Sequence, residues 1–482
     1  QGYTTLADAI LANEYQTTPE IAKQKISEKQ EVDFTKIAPI IDWQENHAST
    51  TTTTSATMPH PDLVGTGGIA ANLTAENILP TIGTGYTFNS ETGRYDLTGY
   101  DYVDPTTLDY SNDYYFCGSA FGTNSSNDLI TPTRGISSCL TIYKLTGATK
   151  EEGTTTGNGG TEIKTIVYRM TGYAYTQTEL ESDKSDKGLY QMEDADGISY
   201  YYRGSVTNNY VYFAGFYWRI IRINGDGSVR LLYAGETSDA EGNNLNMKLT
   251  DSSLGYNNIS KVSFNTLQND PAYVGYMYGN TLGSLYDETY ANENNSTIKQ
   301  YLDSWYKQNI LEKGYADYIA DSGFCNDRSL STQNNNGDGV STTTYYGGYQ
   351  RYHSLQVPSL ICSNASNDLF TTSTNDKGNK ALTYPIGLIT IDELMLSGYA
   401  GSFINKYSYA YASMSYWTMS PYRYGIDTHN AGAFYLAATG IISTTRIGIS
   451  YGVRGVINLK GNVEISGGIG TSNDPFVVSG TE

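Results

Sequence analysis

Residues 210–233 constrain this chain more tightly than any other stretch. An apolar and aromatic run, 210–223, meets the four residues Asn224-Gly225-Asp226-Gly227, and a second apolar run, 228–233, follows at once. Gly, Asn and Asp tolerate the positive φ of a tight turn, while aromatic and β-branched residues suit a pleated surface, so the stretch predicts a β-hairpin with buried strands. A chain built around such a unit buries a sheet. Similar short segments recur on both sides of it. Turn signals at Gly83-Thr84-Gly85, Glu91-Thr92-Gly93, Ser111-Asn112-Asp113 and Gly157-Asn158-Gly159-Gly160 separate strand-like stretches at 114–117, 139–145 and 165–170. After Tyr407, further strands are expected at 415–419, 433–438, 440–444, 452–459 and 475–478.

Helices are fewer. Thr5 with Asp8 approximates a capping box ahead of Leu6, Ile10 and Leu11 on one face, and Thr18-Pro19-Glu20 opens a second helix carrying Ile21 and Ile26. An amphipathic helix is expected over 294–310, opened by Asn or Ser, with Ile298, Leu302, Trp305 and Tyr306 on one side. A short one follows at Ile391–Leu396 behind Thr390. The fold class is therefore α+β with β dominant. The run 47–61, rich in Thr and Pro, is too polar and β-branched for a helix and reads as a linker or an extended strand. Four parts follow: a helical segment 1–46, the stretch 47–61, a β-rich domain 62–182, and a C-terminal domain 183–482.

Composition then narrows the function. Of 482 residues only 17% are charged, yet the net charge is −20, and 45 residues are Tyr against 12 Phe and 4 Trp. A chain this acidic, without a Lys/Arg-rich block, is not expected to bind nucleic acid or an anionic membrane surface, since both require a positive footprint. The longest apolar run, 431–442, contains Gly and Thr and falls short of the roughly 18–20 residues a spanning helix needs, so no membrane span is expected. Gln rather than Met at position 1 fits removal of an export segment. Cys117, Cys139, Cys325 and Cys362 form an even set without metal-ligand spacing. Sequential disulfides, Cys117–Cys139 and Cys325–Cys362, fit a secreted chain with this polar, Lys-poor surface; four buried thiols in a cytosolic protein are the alternative.

The C-terminal 300 residues carry a resemblance. The runs Tyr200-Tyr201-Tyr202-Arg203-Gly204, Phe216-Tyr217-Trp218-Arg219-Ile220-Ile221-Arg222, Leu302-Asp303-Ser304-Trp305-Tyr306 and Phe324-Cys325-Asn326-Asp327-Arg328 are similar to those of exported bacterial surface proteins, some with prepilin-like N-termini. The closing part, with Tyr416-Trp417-Thr418-Met419 and Gly452-Val453-Arg454-Gly455-Val456, resembles the C-type-lectin-like fold shared with formylglycine-generating enzymes. The resemblance covers residues 186–482 and implies a lectin-like domain with Trp218, Trp305, Trp417 and Arg454 in its core motif. Gly455 stands where that pattern usually has Pro. Thr5-Leu6-Ala7-Asp8-Ala9-Ile10-Leu11 is similar to the segment after the export signal in the same family, although the long apolar stem of a type IV pilin is missing.

No catalytic constellation emerges. Formylglycine-type chemistry needs reactive cysteines near the end of the fold, and no Cys follows Cys362. His47, His60, His353 and His429 sit in unrelated contexts without a nucleophile elbow. Asp392-Glu393 at a helix start is accounted for by the helix dipole, and Asp194-Ala195-Asp196-Gly197 and Asn336-Gly337-Asp338-Gly339 by turn chemistry rather than a calcium loop. No cofactor or metal is expected, and the chain is not expected to be an enzyme. The expected function is a secreted structural subunit of an extracellular filament or surface layer. It would polymerise with itself head-to-tail by exchange of a strand or segment, with Leu6, Ile10, Leu11, Ile21 and Ile26 as the assembly face. The alternative is an adhesin whose lectin-like domain binds a glycan or host protein. Burial of Tyr between subunits favours the first, and an exposed aromatic cluster with Asn or Asp nearby the second.

Overall fold

A computed structural model describes residues 4–29, 31–32, 34, 187–333, 337–400, 405–406 and 408–481, and in addition the backbone of strands between 53 and 176. The chain divides into two compact units, one made of residues 1–37 together with 186–482, the other of 38–185. The boundaries differ from the expected four parts. The N-terminal helices are not a separate segment, because their apolar face is buried in the C-terminal unit, and the second unit is an insertion between residues 37 and 186.

Within the first unit, helix α1 (Leu6–Tyr15) starts where Thr5 Oγ1 accepts the Asp8 amide, and α2 (Pro19–Ser27) starts where Thr18 Oγ1 accepts that of Ile21. Each cap satisfies one of the orphan amides of a helix start. Strands β1 (Gly188–Asp194) and β2 (Gly197–Arg203) form a hairpin, followed by β3 (Tyr210–Phe213), β4 (Phe216–Ile223) and β5 (Val229–Tyr233). The run expected as one strand over 210–223 is therefore two. Ala214 and Gly215 both take positive φ, 56° and 82°, and turn the chain back on itself, a two-residue reversal of the kind hairpins prefer.

Helix α3 (Thr297–Tyr306) is capped by Ser296 and begins later than expected. Helix α4 (Ile391–Leu396) has a complete capping box, Thr390 with Glu393. Strands β6 (Tyr416–Gly425), β7 (Asn430–Leu436), β8 (Ile442–Arg446), β9 (Gly455–Leu459), β10 (Ile465–Gly467) and β11 (Phe476–Val478) complete the unit. Two sheets result. The larger runs Ile319–Ala320, β9, β5, β4, β3, β11, β10, with β2 also pairing to β4 and β1 to β2; only β3 and β11 run parallel. The other runs Lys261–Ser263, Ser450–Gly452, β6, β7, β8. Strand β6 holds Pro421, and its register with β7 shifts on either side of that residue, the bulge expected where a strand lacks an amide donor.

Large aromatic side chains fill the core. Trp218, Trp305 and Tyr233 meet edge to face with centroids 5.4–6.2 Å apart, the arrangement ring quadrupoles favour. Several of the buried Tyr hydroxyls find a backbone acceptor, as Tyr276 does at Ile386 O and Tyr416 at Ala410 O. At these positions Tyr substitutes for Phe without leaving its oxygen unpaired, whereas the hydroxyls of Tyr202 and Tyr399 are buried without a hydrogen-bond partner among the described residues. No helix among the described residues is long and apolar enough to cross a membrane.

Within the second unit, the strands Thr53–Ala56, Arg94–Thr98 and Tyr86–Asn89 form one antiparallel sheet. A second sheet orders Leu129–Ile130, Tyr115–Cys117, Thr141–Lys144 and Ala174–Thr176, and Thr149–Thr156 pairs with Glu162–Arg169.

Candidate functional site

Two places in the first unit gather chemistry: a charged cleft and the seat of the N-terminal helices. Of the expected disulfides, Cys325–Cys362 is present with Cα atoms 5.7 Å apart, and it forms part of the cleft wall. The pairing of Cys117 with Cys139 lies outside the described residues.

The cleft has a volume of about 220 Å³. Strand alternation sends Arg222 of β4 and Arg230 of β5 toward the start of α4, where Glu393 meets both at 3.4 and 2.5 Å. Arg222 also reaches Asp194 at 3.0 Å, and Arg351 bridges Asp327 and Asp392, each at 2.6 Å. Arg351 grips Asp392 through two nitrogens, the planar fork that suits a carboxylate. At the rim, Lys377 pairs with Asp196. Burial pushes the Glu393 carboxyl up, yet Arg230 and Arg222 outweigh it and hold the group below the usual carboxylate range. Burial opposes the charge of Arg351 too, and Asp392 and Asp327 reverse the balance and raise it. Each arginine of the cleft is thus neutralised within the chain. No aromatic ring lines the cleft among the described residues, and its outer edge carries Ile361, 52% exposed. Asp392-Glu393 does cap a helix, as the sequence implied, but both side chains are buried in ion pairs, a role that adjacent acids in a sequence do not reveal.

The turn residues behave as turns. Asp194 accepts the Asp196 amide at 2.8 Å, and Asp338 accepts the amides of Val340, Ser341 and Thr342. Asn336 lies outside the described residues. No group of three His, Cys, Asp or Glu among the described residues is arranged to hold a metal. His353 is half-buried, with its ring against those of Tyr349, Tyr352 and Phe434, and His429 Nδ1 lies 3.4 Å from the Tyr424 hydroxyl. His47 and His60 are outside the described residues.

The core-motif residues are placed together with the fold rather than with a surface. Trp218, Trp305, Trp417 and Arg454 are each no more than 1% exposed. Trp218 Nε1 donates to Phe213 O at 3.1 Å and Trp417 Nε1 to Val262 O at 2.9 Å. Arg454 donates to Tyr233 O and Ala410 O and lies over the Tyr416 ring. It links the two sheets, since Tyr233 ends β5 and Tyr416 begins β6.

The seat is formed by residues 187 onward and is filled by 4–29. Leu6, Ile10, Leu11 and Ile26 are each at most 2% exposed, whereas Ile21 is 45% exposed. Four of the five expected assembly residues are thus covered within the chain and Ile21 is not, because it faces outward from α2. The segment enters through a single β-bridge. The amide of Leu6 donates to Val463 O at 2.9 Å and that of Ile465 to Thr4 O at 2.8 Å, pairing Thr5 with Glu464 at the open edge of β10. Farther along, Glu14 accepts the Leu189 amide and the Asn208 side chain, both at 3.0 Å, and Lys29 donates to Leu189 O at 2.8 Å. Asn13 donates to Ile469 O. Glu14, Lys29 and Asn208 carried no distinguishing sequence signal, since charged and amide residues on a helix or in a loop look like any solvated surface.

No family model, curated protein or solved structure matches this chain.

Proposed function

We propose that the chain is an extracellular structural subunit that polymerises with itself into a filament or surface layer, its region 186–482 folded in the C-type-lectin-like manner. The observation that carries this reading is the way residues 4–29 are held. They are held through a single β-bridge beside a sheet edge and an apolar helix face that is buried against the rest of the unit. The disulfide and the low-charge, polar surface agree with an exported protein. The test is negative-stain imaging of the purified full chain beside a variant lacking residues 1–37. Regular fibres or sheets from the full chain and single particles from the shortened one are expected. Single particles from both, at every concentration tried, would overturn the reading.

One observation favours the alternative, an adhesin: the cleft with its apolar rim residue Ile361 is open to a guest. Saturable binding to a glycan or peptide array that is lost on Arg351→Ala, with no polymer seen, would replace the first reading with this one.

A further inference from the structure

We propose that the groove between residues 341–345 and the turn joining β6 to β7, walled by half-buried tyrosines, binds a neutral carbohydrate. The proposal goes beyond the polymer reading, since it gives the subunit a ligand whether or not it assembles. The groove shares no lining residue with the cleft.

The local fold builds the groove before any guest arrives. Residues Thr344–Tyr345 pair antiparallel with β6, which sets Tyr345 directly across from Arg423. Beside this pair the groove has a volume of about 700 Å³. One wall is fixed by Asp338, which accepts the amides of Val340, Ser341 and Thr342. Thr343 Oγ1 accepts the Ile426 amide at 3.1 Å and ties that wall to the turn after β6. Walls already held by hydrogen bonds need little ordering when a ligand enters.

Three observations identify the class of guest. First come the rings. Tyr349 and Tyr422 pack on Tyr345 with centroids 4.4 and 5.6 Å away, and on each other at 5.4 Å. All three are only half-buried. A Tyr side chain offers an apolar face with a polar tip, the complement of a sugar ring, whose C–H face is apolar and whose edge carries hydroxyls. No aromatic ring lines the cleft among the described residues, so the cleft has no such platform.

Second, hydrogen-bonding capacity in the groove is unused. A guanidinium carries five N–H donors, and that of Arg423 makes one hydrogen bond to a described residue, from Nη1 to the Tyr345 hydroxyl at 3.3 Å. Gly425 leaves it room, because a Cβ there would stand 3.0 Å from Nη2. Asp427, exposed in the turn, has no hydrogen bond or ion pair with a described residue. Third, charge decides against ions. Arg423 and Asp427 line the same groove with opposite signs, so an anion drawn to one is repelled by the other, as is a cation. The net charge of −20 adds to the exclusion of polyanions. A neutral ligand with adjacent hydroxyls uses both groups, accepting from Arg423 and donating to Asp427.

The test is calorimetric titration of the full chain with β-glucan, chitin, mannan and galactan oligosaccharides, beside one sialylated and one sulfated sugar. Saturable binding of at least one neutral oligosaccharide is expected. Asp427→Ala and Tyr349→Ala are each expected to weaken it about tenfold or more, the loss of one charge-assisted hydrogen bond or one ring contact. Tyr349→Phe keeps the ring and is expected to retain binding. Because Asp427 is exposed and bonds to no described residue, its removal leaves the fold intact and the result readable. Failure of every neutral sugar to bind, or preference for the sialylated or sulfated one, would overturn the assignment. Binding that survives Asp427→Ala and is lost in Arg351→Ala would overturn it too and move the ligand to the cleft. The imaging of fibres decides the polymer reading independently of each of these outcomes.

Discussion

The cleft and the seat hold the same unit together by opposite means. In the cleft, the largely buried Arg222, Arg230 and Arg351 are locked to Asp194, Glu393, Asp327 and Asp392. In the seat, Leu6, Ile10, Leu11 and Ile26 lose their contact with water, and the polar bonds are few and mostly to backbone. A buried ion pair is costly to form and very costly to break, because removing one partner strands the other charge. An apolar face separates and rejoins with its hydrogen-bonding groups free to find water. The first is suited to fixing a shape and the second to exchanging partners.

The comparison breaks most visibly at Glu393. Glu393→Ala leaves Arg230 and Arg222 without their shared carboxylate, and a loss of about 3–5 kcal/mol of unfolding free energy in a urea titration is expected; a change below 1 kcal/mol would mean the charges find water and the cleft is not a fixed element. Next comes Ile10→Ala, where a fully buried side chain is cut back at a cost of about 2–5 kcal/mol. Here the loss is expected to appear as undocking. Amide exchange over 4–29 accelerates while β4, β5 and β9 keep their protection, and equal acceleration throughout would show that the helices are an inseparable part of the core.

The smallest effect separates the two regions by pH. The Glu393 carboxyl is held below its ordinary value in the folded protein, so the stability it contributes is present above about pH 4.5 and is lost as pH falls through the folded value. One group changes stability by at most about 1.4 kcal/mol per pH unit. Comparing Glu393→Gln with the unaltered chain by urea titration at pH 7 and pH 3 isolates that part, and a pH dependence unchanged by the substitution would assign the acid sensitivity elsewhere.

Local structure was largely legible in the residue order. Thr5, Thr18 and Thr390 announce three helix starts because a cap acts within one turn, and the hairpin turn 224–227 follows from Gly and Asn. The division at Ala214-Gly215 escaped because Ala rarely takes positive φ, so a single Ala-Gly step inside an aromatic run looks like continuing strand. The cleft was legible only as scattered parts. Arg222 and Arg230 lie on strands, Arg351 follows a short helix and Glu393 opens another, and no spacing in the chain brings them together.

By itself the sequence determined the helix caps, the dominance of short strands and the lack of a long apolar helix among the described residues, because each depends on neighbours in the chain or on composition. Only the tertiary structure decided that residues 1–37 belong with 186–482, that Cys325 meets Cys362, and that three arginines and four carboxylates pair in one cleft. Burial and charge pairing act through space, and the sheet order that sets β10 beside Thr5 is fixed by packing over hundreds of residues rather than by any local pattern.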